Sequence, residues 1–213
     1  MSNAGAACPN CPGSSACAAP LTCSGSRSLR RTVELLVDNH LLEAETLRLL
    51  QPETSLALVR LTEEGRQLCR VLGWEPVESD WERLLRMKAP DWPKERLLEI
   101  LIFAMHARLR GWGVQLQPEV AGADPHLHVE RGEMSCYAWL VSGSALNVER
   151  WRSLPELPGQ FGLCTATYLQ RQQIAAPLRM LGRAVQIASL EELIAVRLPD
   201  INPAVDLWLE RWD

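Results

Sequence analysis

Three groups of side chains in this sequence have the types and spacing to do chemistry. Cys8, Cys11, Cys17 and Cys23 follow the pattern Cys-x2-Cys-x5-Cys-x5-Cys. Four thiolates suffice for tetrahedral zinc or for an iron–sulfur cluster. The later spacings match no common zinc finger, so a redox-linked disulfide and inert thiols stand as the alternatives. Asp124, His126 and His128 alternate with Pro125, Leu127 and Val129. A strand turns such a set to one side, and Glu119 on the preceding strand adds a fourth candidate metal ligand. The competing reading is a solvated strand face, polar side out. The third group is basic. Arg27, Arg30 and Arg31 fall at i, i+3 and i+4, on one face at the start of a helix, and residues 1–33 contain no acid. That is the chemistry of phosphate contact; the alternative is a solvated helix face. Arg48, Arg60, Arg150 and Arg152 join them as candidate DNA contacts. Cys69, Cys136 and Cys164 lie in apolar patterns and read as core, and His106 reads as a satisfied core histidine rather than a base.

The elements that must carry these residues are legible from periodicity. Residues 1–25 are small and polar, rich in Cys, Pro, Ser and Gly. Leu29, Val33, Leu36, Val37 and Leu41 then recur at helical spacing, which predicts an amphipathic helix from about Ser26 to His40. Leu47 to Leu50 and Leu56 to Leu61 read as two strands joined at Gln51-Pro52-Glu53-Thr54. Thr62-Glu63-Glu64-Gly65 reads as a capped helix start. The stretch 74–93, with Trp74, Trp81 and Trp92, reads as a linker around a short helix near Asp80 to Met87. Beyond it the order is helix (Lys94 to Arg110), strands (Val114 to Val120, Leu127 to Glu130, Ser135 to Val141), helix (Asn147 to Leu154), strand (Phe161 to Thr167), helix (Leu169 to Leu181), strand (Ala184 to Ala188) and a helix from Leu190. A helix, a three-strand meander and then alternating elements imply an α/β (α+β) fold built on a mixed sheet with helices on both faces. The expected division is 1–25, a Cys-rich segment; 26–73, a DNA-binding unit; 74–93, a linker; and 94–213, the α/β domain.

Composition sets the outer limits. The 213 residues are 47% hydrophobic with a net charge of −4, which suits a globular chain and argues against wholesale coating of nucleic acid, though not against a local basic patch. No apolar run is long enough to span a bilayer and no signal-type segment opens the chain, so no membrane partner and a cytoplasmic location are expected.

Residues 14–73 resemble bacterial winged-helix proteins. Ser14 to Cys23 precedes a turn at Ser24-Gly25-Ser26 and the basic helix. Leu41-Leu42-Glu43 and Val59-Arg60-Leu61-Thr62-Glu63-Glu64-Gly65-Arg66 carry the likeness further, with the first helix reduced to the Cys-rich stretch. Residues 95–189, in the order αβββαβ, resemble the core of the PD-(D/E)xK nuclease superfamily. The fragments carrying this likeness are Phe103 to Trp112 and Pro118-Glu119-Val120. The pairing of the two units is similar to replication-relaxation-like proteins. The resemblance implies double-stranded DNA as partner, a homodimer, and a metal site made by an Asp on the second strand and a Glu-x-Lys pair on the third. Here the second strand offers Asp124-Pro125-His126, and the third reads Tyr137-Ala138-Trp139-Leu140-Val141, with neither acid nor lysine. The expectation is therefore a DNA-binding protein, regulatory or associated with a plasmid or mobile element, whose nuclease-like domain is catalytically inactive. A metal-dependent nuclease with a migrated site, and a protein-interaction module, are the alternatives.

Overall fold

The computed structural model describes residues 27–50, 53–88, 91–141, 151–197 and 200–212. Two sheets and six helices are built from them. Helix α1 (Arg27–Asp38) leads into an antiparallel hairpin, β1 (Leu42–Leu50) and β2 (Glu53–Leu61), followed by α2 (Glu63–Val71) and α3 (Asp80–Lys88). Then come α4 (Lys94–Leu109), β3 (Gly113–Leu116), β4 (Leu127–Arg131), β5 (Met134–Val141), β6 (Gln160–Thr165), α5 (Tyr168–Arg179), β7 (Val185–Ser189), α6 (Leu190–Ala195) and β8 (Glu210–Trp212). Among the described residues no helix is long and apolar enough to cross a membrane.

The larger sheet is mixed, in the order β3-β4-β5-β6-β7-β8. The pairs β3–β4 and β4–β5 are antiparallel, β5–β6 and β6–β7 parallel, and β7–β8 antiparallel. Alternation along its central strands divides the interior in two. Cys136, Ala138, Leu140, Cys164 and Ala188 face a cluster with α4 and α6, whereas Trp139, Val141, Phe161, Leu163, Val185 and Ile187 face one with α5. Helices thus cover both faces, and the strands between them are apolar on both sides, as parallel strands must be when neither face meets water.

Helix α4 is buried around most of its circumference, from Leu97 to Ala107, because it is covered twice. One side lies on the sheet. The other receives Leu47, Leu49 and Leu58 of the hairpin and Trp81 and Leu84 of α3, all in the same core cluster. The stretch expected as a linker therefore contributes α3 to the core. Helix α2 begins as its sequence predicts: Thr62 Oγ1 accepts from the Gly65 N–H at 3.0 Å. Gly65 itself is required by close approach, since a Cβ there would stand 2.1 Å from the Leu41 carbonyl oxygen.

Several boundaries differ from the sequence expectation. The hairpin strands are longer, because Leu42↔Leu61 through Leu50↔Glu53 pair continuously and polar residues on the open side carry the pairing outward. Strand β3 stops at Leu116 rather than Val120, where Gln117 takes a left-handed φ of 49°. Strand β8 was not anticipated. Its three residues Glu-Arg-Trp are too short for any period to register, and they pair only because β7 offers an edge. Cys69 is half-buried rather than core, while Cys136 and Cys164 are buried as expected. Of the helix expected over Asn147 to Leu154, only the end from Trp151 falls among the described residues, and Trp151 is buried.

Candidate nucleic-acid interface and the polar groups of the sheet

Helix α1 is amphipathic, and no residue of it with a described side chain is fully buried. Val33, Leu36 and Val37 are half-buried, and Arg30 and Arg31 point outward. The Arg27 side chain, Arg150 and the cysteines Cys8, Cys11, Cys17 and Cys23 lie outside the described residues. Residues 1–33 contain no acid, but Glu34, one turn after Arg30, does reach it: its carboxylate accepts from Arg30 Nε at 2.9 Å. Arg48 pairs with Glu53 across the hairpin end. Arg60 and Glu43 sit directly opposite each other in the ladder and their side chains meet at 2.8 Å. The hydrogen bond from Arg60 holds the Glu43 carboxyl below the usual range, and the same contact raises Arg60. These pairs are exposed. Such contacts are worth about 0–1 kcal/mol, so a phosphate that offers a second charge-assisted partner can displace them. Arg152, between β5 and β6, is exposed beside buried Trp151.

The structure separates the four residues expected to form an alternative metal site. His126 is buried, its Nδ1 accepting from the Leu140 N–H at 2.9 Å and its ring edge-on to Trp92 at 4.9 Å. His128 is half-buried; its Nε2 lies 2.8 Å from Ser135 Oγ and its ring rests on Tyr137 at 4.6 Å. Asp124 stands in the loop before β4, exposed, 3.7 Å from Lys88 Nζ. Glu119 is exposed and shares with Asp124 and Lys88 the wall of an open depression. The common strand face fails because β4 begins only at Leu127, so Asp124 lies outside the ladder that would align it. Among the described residues no three of His, Cys, Asp and Glu converge on a point that could hold an ion.

A serine hydroxyl beside an imidazole nitrogen, as in Ser135 and His128, is the first half of a nucleophile–base pair. Among the described residues the His128 ring has this one hydrogen bond, and none to its other nitrogen. On β5, Ala138, Trp139, Leu140 and Val141 are all buried. Trp139 packs against Phe161 at 5.3 Å and Trp151 at 5.9 Å, filling the space on its face with indole and phenyl rings. Strand β5 carries neither an acidic side chain nor a lysine.

Two groups of charges on the sheet side escaped sequence reading. Glu99, buried in α4, accepts from Arg96 at 2.7 Å, while Arg96 also donates to the Leu140 carbonyl. Burial pushes the Glu99 carboxyl up against the pull of Arg96. A lone acid inside the apolar run Leu97 to Phe103 was the available signal. On the opposite side Arg171 of α5 grips Glu192 with two N–H groups, at 2.8 and 3.0 Å, and also meets Glu210. Its partners are 21 and 39 residues away, so nothing local announces them. His106 is buried as expected, with Nδ1 3.0 Å from an Arg110 guanidinium nitrogen; burial first, and then Arg110, lowers its pKa to about 4. Compared with known protein families, with curated proteins and with solved structures, the chain finds no match.

Proposed function

We propose that this chain is a non-enzymatic protein that binds double-stranded DNA as a homodimer, in a regulatory, plasmid or mobile-element setting, with the large α/β sheet as its platform. The observation that carries this reading is α1: a helix with no described side chain fully buried, turning Arg30 and Arg31 outward beside a hairpin that bears Arg48 and Arg60. The order helix, hairpin, helix is that of the second half of a winged helix. The mixed sheet, in which β4 runs against its neighbours and β5 offers neither acid nor lysine, supports the comparison with a nuclease core that has lost its chemistry. Fluorescence anisotropy on a labelled duplex across a salt series tests the reading. Binding that weakens linearly in log salt, with a shallower slope for an Arg27, Arg30 and Arg31 triple alanine variant, is expected. A parent that binds no duplex at about 50 mM salt overturns it.

One observation favours a second reading. Glu119, Asp124 and Lys88 line one depression, a set of charges able to serve metal-assisted phosphodiester hydrolysis. Incubation of plasmid with Mg²⁺ or Mn²⁺ separates the two. No cleavage is expected, and cleavage abolished by Asp124→Asn would replace the first reading with the second.

A further inference from the structure

Strands β6, β7 and β8 border a pocket of about 200 Å³ that shares no residue with the depression beside Lys88. Two carboxamides meet in its wall, where Gln186 Nε2 donates to Gln160 Oε1. Gln186 is 2% exposed, and its Oε1 accepts from no group among the described residues. Native interiors hold few such unpaired acceptors, because a polar atom shut away from water needs a partner. Two amides joined by one hydrogen bond keep a carbonyl on one partner and an NH2 on the other. Exchanging the ends of both amides reverses these roles and leaves the same donor and acceptor.

The other walls narrow the choice of ligand. Trp212 brings an indole into the pocket, one ring face under Arg179 at 5.1 Å, and its Nε1 is likewise buried without an acceptor among the described residues. Arg211 completes the lining, with its side chain 38% exposed. Its carboxylate partner Asp206 also faces Arg131 at 3.9 Å, so one acid serves two guanidiniums and positive charge is left over at the rim. The volume falls below the roughly 300–1,000 Å³ of sites for drug-sized ligands, which leaves room for one ring system.

A donor and an acceptor side by side, an aromatic wall and a cation at the rim match a nucleobase that carries a phosphate. Adenine sets an amino donor beside a ring-nitrogen acceptor on one edge, the combination that a carboxamide reads. We propose that this pocket binds an adenine nucleotide, with the base edge on Gln160 and Gln186, the ring beside Trp212 and the phosphate toward Arg211. A free nucleotide and a base presented by a single strand offer the same chemistry. The site goes beyond the proposed function and does not rest on it.

Isothermal titration calorimetry of the full chain with adenosine monophosphate, adenosine and a short single-stranded oligodeoxyadenylate tests the site. One molecule of the monophosphate per chain is expected. Gln186→Leu and, separately, Gln160→Leu should each raise its dissociation constant about tenfold or more, because the base then loses a partner it had desolvated to meet. Gln160 is only half-buried, so its variant carries the test if circular dichroism shows Gln186→Leu misfolded. Arg211→Ala should weaken the monophosphate and leave adenosine unchanged, a split that general loss of structure does not produce. An oligonucleotide bound through the same two glutamines, with the monophosphate unbound, supports the site and makes a strand the source of the base. No binding of any of the three probes up to about 1 mM, or binding untouched by both glutamine variants, overturns the proposal.

Discussion

Arginine does opposite work at the two ends of this molecule. In the sheet region Arg171 is 8% exposed in its side chain and bonded to two glutamates from other elements. It ties α5 to α6 and β8. In the α1–hairpin region Arg30 is 79% exposed, and its partner is a neighbour on the same helix. The buried guanidinium has surrendered its hydration and depends on its partners, while Glu192 and Glu210 are only partly buried and Glu210 also keeps Arg179 at 3.4 Å. The exposed one has lost almost nothing and stays free to exchange Glu34 for another anion. Burial, rather than residue type, decides whether a charge holds the fold or serves a partner.

The largest effect expected from this contrast is at Arg171. Arg171→Ala should destabilise the protein by about 3–5 kcal/mol, read from urea unfolding, and a loss below about 1 kcal/mol would place this pair in the exposed class.

Next in size is the acid response of the sheet side. His106 is neutral in the folded protein down to about pH 4, while the unfolded chain takes up that proton from its ordinary pKa of 6.5. Its contribution is therefore complete above 6.5, falls as the pH drops from 6.5 to about 4, and is level below. The full loss is roughly 3 kcal/mol at 1.36 kcal/mol per unit. His106→Gln keeps an acceptor for Arg110 but does not titrate. Its unfolding free energy should be flatter than the parent's over that window, and identical pH profiles would show that His106 is solvated in the folded state.

The third probe is packing. A Cβ on Gly162 would stand 2.5 Å from the Trp208 ring and 2.6 Å from Cys136 Sγ. Gly162→Ala should cost about 1–3 kcal/mol, measured in the same unfolding assay; an unchanged midpoint would mean that Trp208 has room to move.

The smallest stability effect belongs to the exposed arginines. Arg30→Ala and Arg31→Ala should each change stability by no more than about 0.5 kcal/mol. Each should also lower the slope of log affinity for duplex against log salt by about one if it contacts a phosphate. A variant as costly as Arg171→Ala would erase the distinction between the two regions.

Local signals carried much of the fold. The helical spacing of Leu29, Val33 and Leu36, the Thr62 cap, and the apolar runs of β5, β6 and β7 each act within one turn or one strand, where chain geometry alone fixes which side chains share a face. The candidate site was less legible. His126 and His128 follow strand alternation in sequence, yet one turns to the Leu140 backbone, 14 residues away, and the other to Ser135 on the next strand. Arg30 and Glu34 stood one turn apart in plain view, and only the helix made them partners. The covering of α4 on both sides, the grip of Arg171 on Glu192 and Glu210, and the edge pairing of β8 belong to tertiary structure alone. Each joins groups distant along the chain, and no periodicity can register a contact whose partner is set by how whole elements pack.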